Sequence, residues 1–450
     1  MKIQSIAVRL VALFATLNPG QRARLFRGTV VNVLSQCVTA VLALVSLPIL
    51  LAMWGTAQFG LWILISAFPA YLAMSDLGFG WAAAAKIAHA IGRGDVAVAR
   101  RVHQTLLALN ACCVAVFALL AVCIVMLGGG VLLPNNGEGE LLGLKTALLL
   151  LCWTALVSLS MSSLTTAWRA SGAYASTVVF NDAIRISEAS LVMIVALKGG
   201  GILAAAACTF ATRATGLGIL LLLTPKVASW VRLSFRGFSL EEVRLLWRPA
   251  LGALMLPLAF ALNVQGMAIV VGLYLGVVPL AAFSAVRTVT RLVIQVMGVV
   301  SNAIVPEIGR AIGSSEQAST KVIALGAMAI SGALGATFVI GSAIFGPWVV
   351  KIYTHQMVAA STLIMSVYAA AAVLQGIWNT GSNVLLGANR QSDVAYWIAG
   401  MSAVGIAAVY ALRDRLSLET VGLVMCLTEI AILGVVLRTL SRFLTKASRA

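Results

Sequence analysis

Acidic residues are scarce in this sequence: 14 Asp and Glu stand against 31 Lys and Arg in 450 residues, and charge of either sign occupies only 10% of positions. Soluble domains carry about 25% charged residues, so this chain has too little polar surface to face water. Histidine is sparse too, and the three copies (His89, His103, His355) are too scattered to form a metal site. Seven cysteines include no CxxC pair and sit mostly inside apolar stretches, where they read as small buried hydrophobes rather than a disulfide or zinc framework. No GxxxxGK[ST] phosphate loop is present, which discounts nucleotide use and leaves no cofactor to expect. The glycine runs at 128–130 and 199–201 act as helix breakers instead.

What fills the space is hydrocarbon. Hydrophobic residues make up 61% of the chain and the mean hydropathy is +1.02, which makes lipid the solvent. A helix needs about 20 apolar residues to cross a ~30 Å core. Twelve such stretches are expected near 28–53, 59–84, 102–127, 141–168, 175–197, 201–224, 249–274, 279–305, 321–346, 358–386, 394–411 and 417–438. With both termini in the cytoplasm, 22 of the Lys and Arg residues fall in the termini and inward loops and five in outward loops. That asymmetry sets the orientation, and it explains the basic balance without nucleic acid. Residues 1–27 form an interfacial amphipathic segment, with apolar residues at 3, 6, 10, 13, 14 and 17 on one helical face. The remainder divides into a lobe at 28–224, an inward loop at 225–248, a second lobe at 249–438 and a basic tail at 439–450.

The halves repeat. A shift of 221 residues lays Lys86 to Asp95 on Glu307 to Glu316 with four identities, and lays Gly55 on Gly276. The shift equals six spans, and an even number keeps both halves in one orientation. The expected fold is an all-α polytopic membrane protein of about 12 helices, in two six-helix lobes related by a pseudo-two-fold along the membrane normal.

The segments from Gly55 to Trp62 (GTAQFGLW), Ser75 to Gly80 (SDLGFG) and Gly92 to Asp95 (GRGD) resemble the start of polysaccharide and O-antigen flippases, members of the multidrug/oligosaccharidyl-lipid/polysaccharide exporter superfamily. Asn263 to Gln265, Gly276 and the stretch 281–313 with Pro306 are similar to its second half. The resemblance implies a central cavity lined by spans 1, 2, 7 and 8. It implies alternating access that moves an undecaprenyl-diphosphate-linked oligosaccharide from the cytoplasmic to the periplasmic leaflet of a bacterial inner membrane. Its implied partners are that lipid-linked oligosaccharide, a coupling proton or sodium ion, and the polymerase and chain-length proteins of surface-polysaccharide synthesis. A multidrug antiporter of the superfamily is the alternative. Those proteins typically carry intramembrane acids, whereas span 1 here offers Asn32 and Gln36, and span 7 offers Asn263 and Gln265. A membrane-bound polymerase or ligase is disfavoured, because the outward loops near 128–140 and 346–358 hold no acid–base pair.

Charges inside the bilayer cost at least ~2.5–3.5 kcal/mol each, so every one needs a role. Arg287 and Arg291 lie about 12 and 18 Å into the eighth span, four residues apart on one helical face. They form the expected clamp for the diphosphate, because arginine stays charged and grips phosphate in bidentate fashion. A structural contact with Glu429 is the competing reading. Arg213 sits centrally in span 6 and is a further cavity candidate. Asp182, Arg185 and Glu188 are expected to neutralise one another along span 5. Asp76, Glu188 and Glu429 are the acids that could couple an ion or gate the cycle. Prolines 69 and 257 should kink spans 2 and 7. Trp54, Trp62, Trp81 and Trp348 are read as interface anchors.

Overall fold

The computed structural model describes residues 19–72, 78–132, 138–313, 317–388 and 390–447. The segment before residue 19, Asp76 and the loop at 133–137 lie outside the described residues. Helix α1 (Pro19–Leu72) holds two spans, since the chain reverses at Gly55. Span 2 continues as α2 (Phe79–Gly92). Spans 3 to 6 are α3 (Val96–Leu132), α4 (Glu138–Ala170), α5 (Tyr174–Leu197) and α6 (Ile202–Val227). Span 7 joins α7 (Leu240–Ala261), a π-helical turn at Leu262–Gly266 and α8 (Met267–Tyr274); span 8 joins α9 (Val277–Thr290) and α10 (Leu292–Gly313). Spans 9 to 12 are α11 (Gln317–Tyr353), α12 (Thr362–Gly387), α13 (Ser392–Ala411) and α14 (Leu418–Ala447). Among the described residues there is no strand.

By length and hydropathy alone ten segments qualify as membrane spans. The count rises to twelve for two reasons. The single segment Val30–Pro69 contains both arms of α1. The helix Tyr174–Leu197 is long enough to cross, but it carries the charged trio Asp182, Arg185 and Glu188. The polar content that hides this helix from a hydropathy count is neutralised by its neighbours.

The repeat is visible in the backbone. Gly55 has φ 70° and ψ 176°, and its shift partner Gly276 has φ 96° and ψ 174°. Both reverse the chain between the first two helices of a half, in a conformation that a side chain would strain. Near this turn the two halves touch. A Cβ on Gly60 would fall 1.8 Å from the Val277 carbonyl oxygen, so only glycine permits this backbone approach.

The apolar cores show how the lobes meet. One large cluster joins both halves at the face of the Gly55 and Gly276 turns, drawing on Leu51, Trp54 and Phe59 from the first half and on Val271, Phe283 and Tyr368 from the second. Tyr353 Oη reinforces it by donating to the Ala43 carbonyl at 3.0 Å. Toward the arginine-rich face a smaller shared core packs Phe79, Ile87 and Leu106 against Leu246 and Ala250 at the start of span 7, beside cores confined to one half. One holds Met161, Leu164, Trp168, Ile184 and Leu220, all in the first half, and another holds Ala259, Trp378, Ile398 and Ile432, all in the second. The lobes are therefore sealed by a large core at one face and joined by a smaller one toward the other.

Trp54 corrects one expectation. It is buried in the sealed face, where Nε1 donates to the Gly200 carbonyl at 2.9 Å and its ring meets Trp62 edge-on at 5.7 Å. It holds helices together rather than anchoring the protein in the lipid interface. Trp348 is 64% exposed, as an anchor requires.

Candidate anion-binding site

The intramembrane charges fall into two groups. In the first lobe, Tyr174 Oη donates to Asn32 Oδ1 at 3.1 Å and Ser35 Oγ donates to Asp182 Oδ1 at 2.9 Å, while Arg185 donates to Thr39 Oγ1. Positions 32, 35 and 39 share a helical face, so span 1 meets span 5 through one polar seam. Asp182 and Arg185 pair at 3.4 Å. Glu188 does not complete the expected trio. Its carboxylate takes two hydrogen bonds from Arg213 on span 6, the Nη2 to Oε2 contact being 2.7 Å. Glu188 and Arg213 thus satisfy one another, and Arg213 does not reach Glu429. Gln36 is exposed, with no hydrogen bond from its side chain among the described residues.

In the second lobe the chemistry starts from a defect in span 7. Pro257 has no amide hydrogen to give, and five residues further on the helix widens into the π turn Leu262–Gly266. A π turn breaks the regular carbonyl pairing and is often found at functional positions. Arg287 fills the gap. Its Nη1 donates to the Val264 carbonyl at 2.8 Å and its Nη2 to the Asn263 carbonyl at 3.1 Å, with the guanidinium 5.5 Å from the Phe283 ring. Asn263 in turn gives its Nδ2 hydrogen to Glu429 Oε1 at 2.6 Å, and Trp378 Nε1 donates to Glu429 Oε2 at 2.5 Å. Arg287 and Glu429 are joined through Asn263 and form no direct ion pair among the described residues. Gln265, on the same turn, is half-buried.

Arg291 is different. Span 8 breaks at this residue: Thr290 Oγ1 bonds back to the Val286 carbonyl at 3.0 Å, and Arg291 caps α9. The Arg291 side chain is part-exposed, and its guanidinium makes no hydrogen bond or ion pair among the described residues. One turn on, Gln295 Oε1 is buried, and one turn back so is Arg287 Nε, neither with a partner among the described residues. Residues 287, 291 and 295 recur at i, i+4 and i+8, so unused hydrogen-bonding capacity lines one stripe of span 8. Sequence reasoning found the two arginines and missed Gln295, whose i+4 spacing from Arg291 was the available signal. It grouped the arginines as equals, whereas the fold gives Arg287 to the backbone of span 7 and leaves Arg291 open. The repeat counterpart of Arg287, Ser66, also has a buried Oγ with no partner among the described residues.

Comparison with known proteins places this geometry. A family model described as polysaccharide biosynthesis protein matches residues 25–312. No curated protein matches the chain. Among solved structures, the inward-facing form of a multidrug resistance MATE family transporter of the MOP superfamily superposes with a TM-score of 0.74 at 16% identity, covering 91% of this chain and 96% of that one. The outward-facing form of such a transporter gives a TM-score of 0.63 at 15% identity, covering 95% of this chain and 96% of that one. A MOP superfamily transporter from Pyrococcus furiosus, whose reverse-polarity binding pocket is described as suggesting a different function, gives 0.60 at 16% identity, with 95% of each chain covered. The likeness establishes the fold, a multi-pass membrane architecture of the MATE type.

Proposed function

Because the chain belongs to the polysaccharide biosynthesis protein family, we propose that it is a flippase for a lipid-linked oligosaccharide, moving the glycan across a bacterial inner membrane by alternating access. The observation that carries this reading is Arg291, a permanent cation inside the bilayer whose guanidinium makes no hydrogen bond or close ion pair among the described residues, with Glu429 as its charged neighbour. A charge in that position is expensive unless it faces water or an anion. The diphosphate of a polyprenyl-linked glycan supplies such an anion. By the excess of arginine in its loops the face of span 3's start and the connector lies toward the cytoplasm, where such a lipid would enter. A cation exporter with the same fold would be poorly served by an unpaired arginine. Pocket chemistry, not fold, decides cargo, in keeping with the different pocket polarity described for the Pyrococcus protein.

The test is reconstitution. A diphosphate-linked prenyl glycan placed in the outer leaflet of vesicles should become inaccessible to an external glycan-cleaving enzyme when the protein is present. Extrusion of an aromatic dye cation with no movement of the glycan would replace this reading by the multidrug one.

Ion coupling belongs to the same cycle. Among the three acids considered, Glu188 is committed to Arg213 and Asp76 lies outside the described residues, which leaves Glu429. Its two hydrogen bonds, from Asn263 and Trp378, touch both span 7 and span 10. A change in its charge would be felt by the π turn that Arg287 braces. Glu429→Gln should preserve flipping down the glycan's own gradient but remove any acceleration by an imposed proton or sodium gradient. Equal acceleration in this variant would exclude Glu429 as the coupling acid.

A further inference from the structure

The segment joining the lobes carries exposed apolar and basic side chains on a backbone that is firmly held. Helix α3 (Val96–Leu132) would be roughly 55 Å long if straight, well beyond a ~30 Å hydrocarbon core. Its first turns therefore project past the membrane boundary, and the connector is tied to them. Arg100 Nε donates to the Trp230 carbonyl at 3.2 Å and Gln104 Nε2 to the Arg232 carbonyl at 3.3 Å. The Ser239 amide donates to Thr105 Oγ1 at 3.2 Å, Trp230 Nε1 donates to Ser171 Oγ at 2.8 Å, and the Trp230 ring meets His103 edge-on at 5.6 Å. Buried polar groups of the first lobe thus take up the connector backbone, and the intervening side chains turn outward.

Those side chains pair two chemistries. Leu233 is 55% exposed and Phe235 is 62% exposed, which is unfavourable in water. Arg232 and Arg236 alternate with them, are exposed, and make no guanidinium hydrogen bond or ion pair among the described residues. Of the nearby acids, Glu242 is already paired with Lys86, leaving Glu241 against Arg232, Arg236, Arg244 and Arg248. Between the loop and span 3 lies a groove of about 600 Å³ lined by Leu107, Leu233, Ser234, Phe235 and Arg236. Beyond Leu107 an exposed apolar stripe runs up span 3 through Ala111, Cys112, Val116 and Leu119. One end of the groove is cationic, and the other opens onto a lipid-facing helix.

We propose that this groove is a binding site for an anionic glycerophospholipid of the arginine-side leaflet. Arg232 and Arg236 take the headgroup phosphate, Phe235 and Leu233 enter the interfacial layer, and an acyl chain lies on the span 3 stripe. Charge complementarity selects this occupant, since a polybasic segment at a membrane surface is drawn to acidic headgroups, while the apolar lining matches a chain rather than a free anion. Bound lipid would pin the connector, and with it the start of span 7, to the first lobe.

Lipid retention by the full-length protein in native mass spectrometry tests the assignment, using phosphatidylglycerol and phosphatidylcholine as probes. Wild type should retain phosphatidylglycerol preferentially. The double change Arg232→Gln and Arg236→Gln should weaken that retention by roughly tenfold or more, with a wild-type gel-filtration profile. Changing both to Lys, or changing Arg413 to Gln on the opposite face, should leave it nearly intact. Equal retention of the two lipids by wild type, or undiminished phosphatidylglycerol on the double Gln variant, overturns the proposal. A cysteine at Ser234 should label more slowly in vesicles containing phosphatidylglycerol than in phosphatidylcholine alone. Equal rates mean that the loop stands free, as a site for a protein partner would, and the lipid assignment falls.

Discussion

Replacing Arg291 by Gln is expected to abolish glycan transport in a folded protein, and Arg291→Lys should retain a fraction of it. Hydrogen bonds to a charged group contribute about 1.5–3 kcal/mol each, so losing the charge and the bidentate geometry should weaken substrate binding by roughly 10- to 100-fold or more. Lysine keeps the charge but not the planar fork. Arg287 should behave differently although it lies one turn away. Its two Nη groups hold the Val264 and Asn263 carbonyls of the π turn. Arg287→Gln would leave those carbonyls under-satisfied in a medium without water, so it should lower thermal stability as well as transport. Complementation of a flippase deletion, measured beside thermal denaturation in detergent, separates the two residues. If Arg291→Gln complements at normal expression, the anion site is not there. If Arg287→Gln is as stable as wild type, the bracing role is wrong.

A comparably large effect is expected at Arg213, for the opposite reason. Arg213→Met should destabilise the first lobe by about 3 kcal/mol or more, because the Glu188 carboxylate would stay behind, mostly buried and unpaired. Changing Glu188 to Gln in the same chain should recover most of the loss, since removing both charges is far cheaper than removing one. The readout is the melting temperature of the two single variants and the double. Transport by the double variant decides the competing role of Arg213 as a cavity residue. Activity near wild type would make the pair structural, whereas a stable but inactive double variant would return Arg213 to the substrate path.

Much of the architecture was legible because lipid is an undemanding solvent to read. Any stretch that crosses it must satisfy its own backbone, so apolar length alone marks the spans. Loop arginines give an expected direction, and the 221-residue shift pointed to the two halves through Gly55 and Gly276. The exceptions are informative. Span 5 passes as a span only once Asp182, Arg185 and Glu188 have partners on spans 1 and 6, and those partners lie far away in sequence. Trp54 looked like an interface anchor because it ends a span, but its indole is tied to Gly200 and Trp62, the first of them 146 residues away in sequence.

The site was less legible, because charge in a membrane signals importance without saying to whom it is addressed. Sequence alone determined that Arg213, Arg287, Arg291, Glu188 and Glu429 each needed a counterpart in the bilayer. Only the tertiary structure decided which counterparts were already present. It gave Arg213 to Glu188, gave Arg287 to carbonyls loosened by a π turn that no residue pattern announced, and set Asn263 and Trp378 around Glu429. The physical reason is that helical spacing fixes which side chains share a face, while the partner across the interface depends on how helices distant in sequence rotate against each other. Arg291 is what remains once those pairings are made, its guanidinium without a hydrogen bond among the described residues and near only the Glu429 charge.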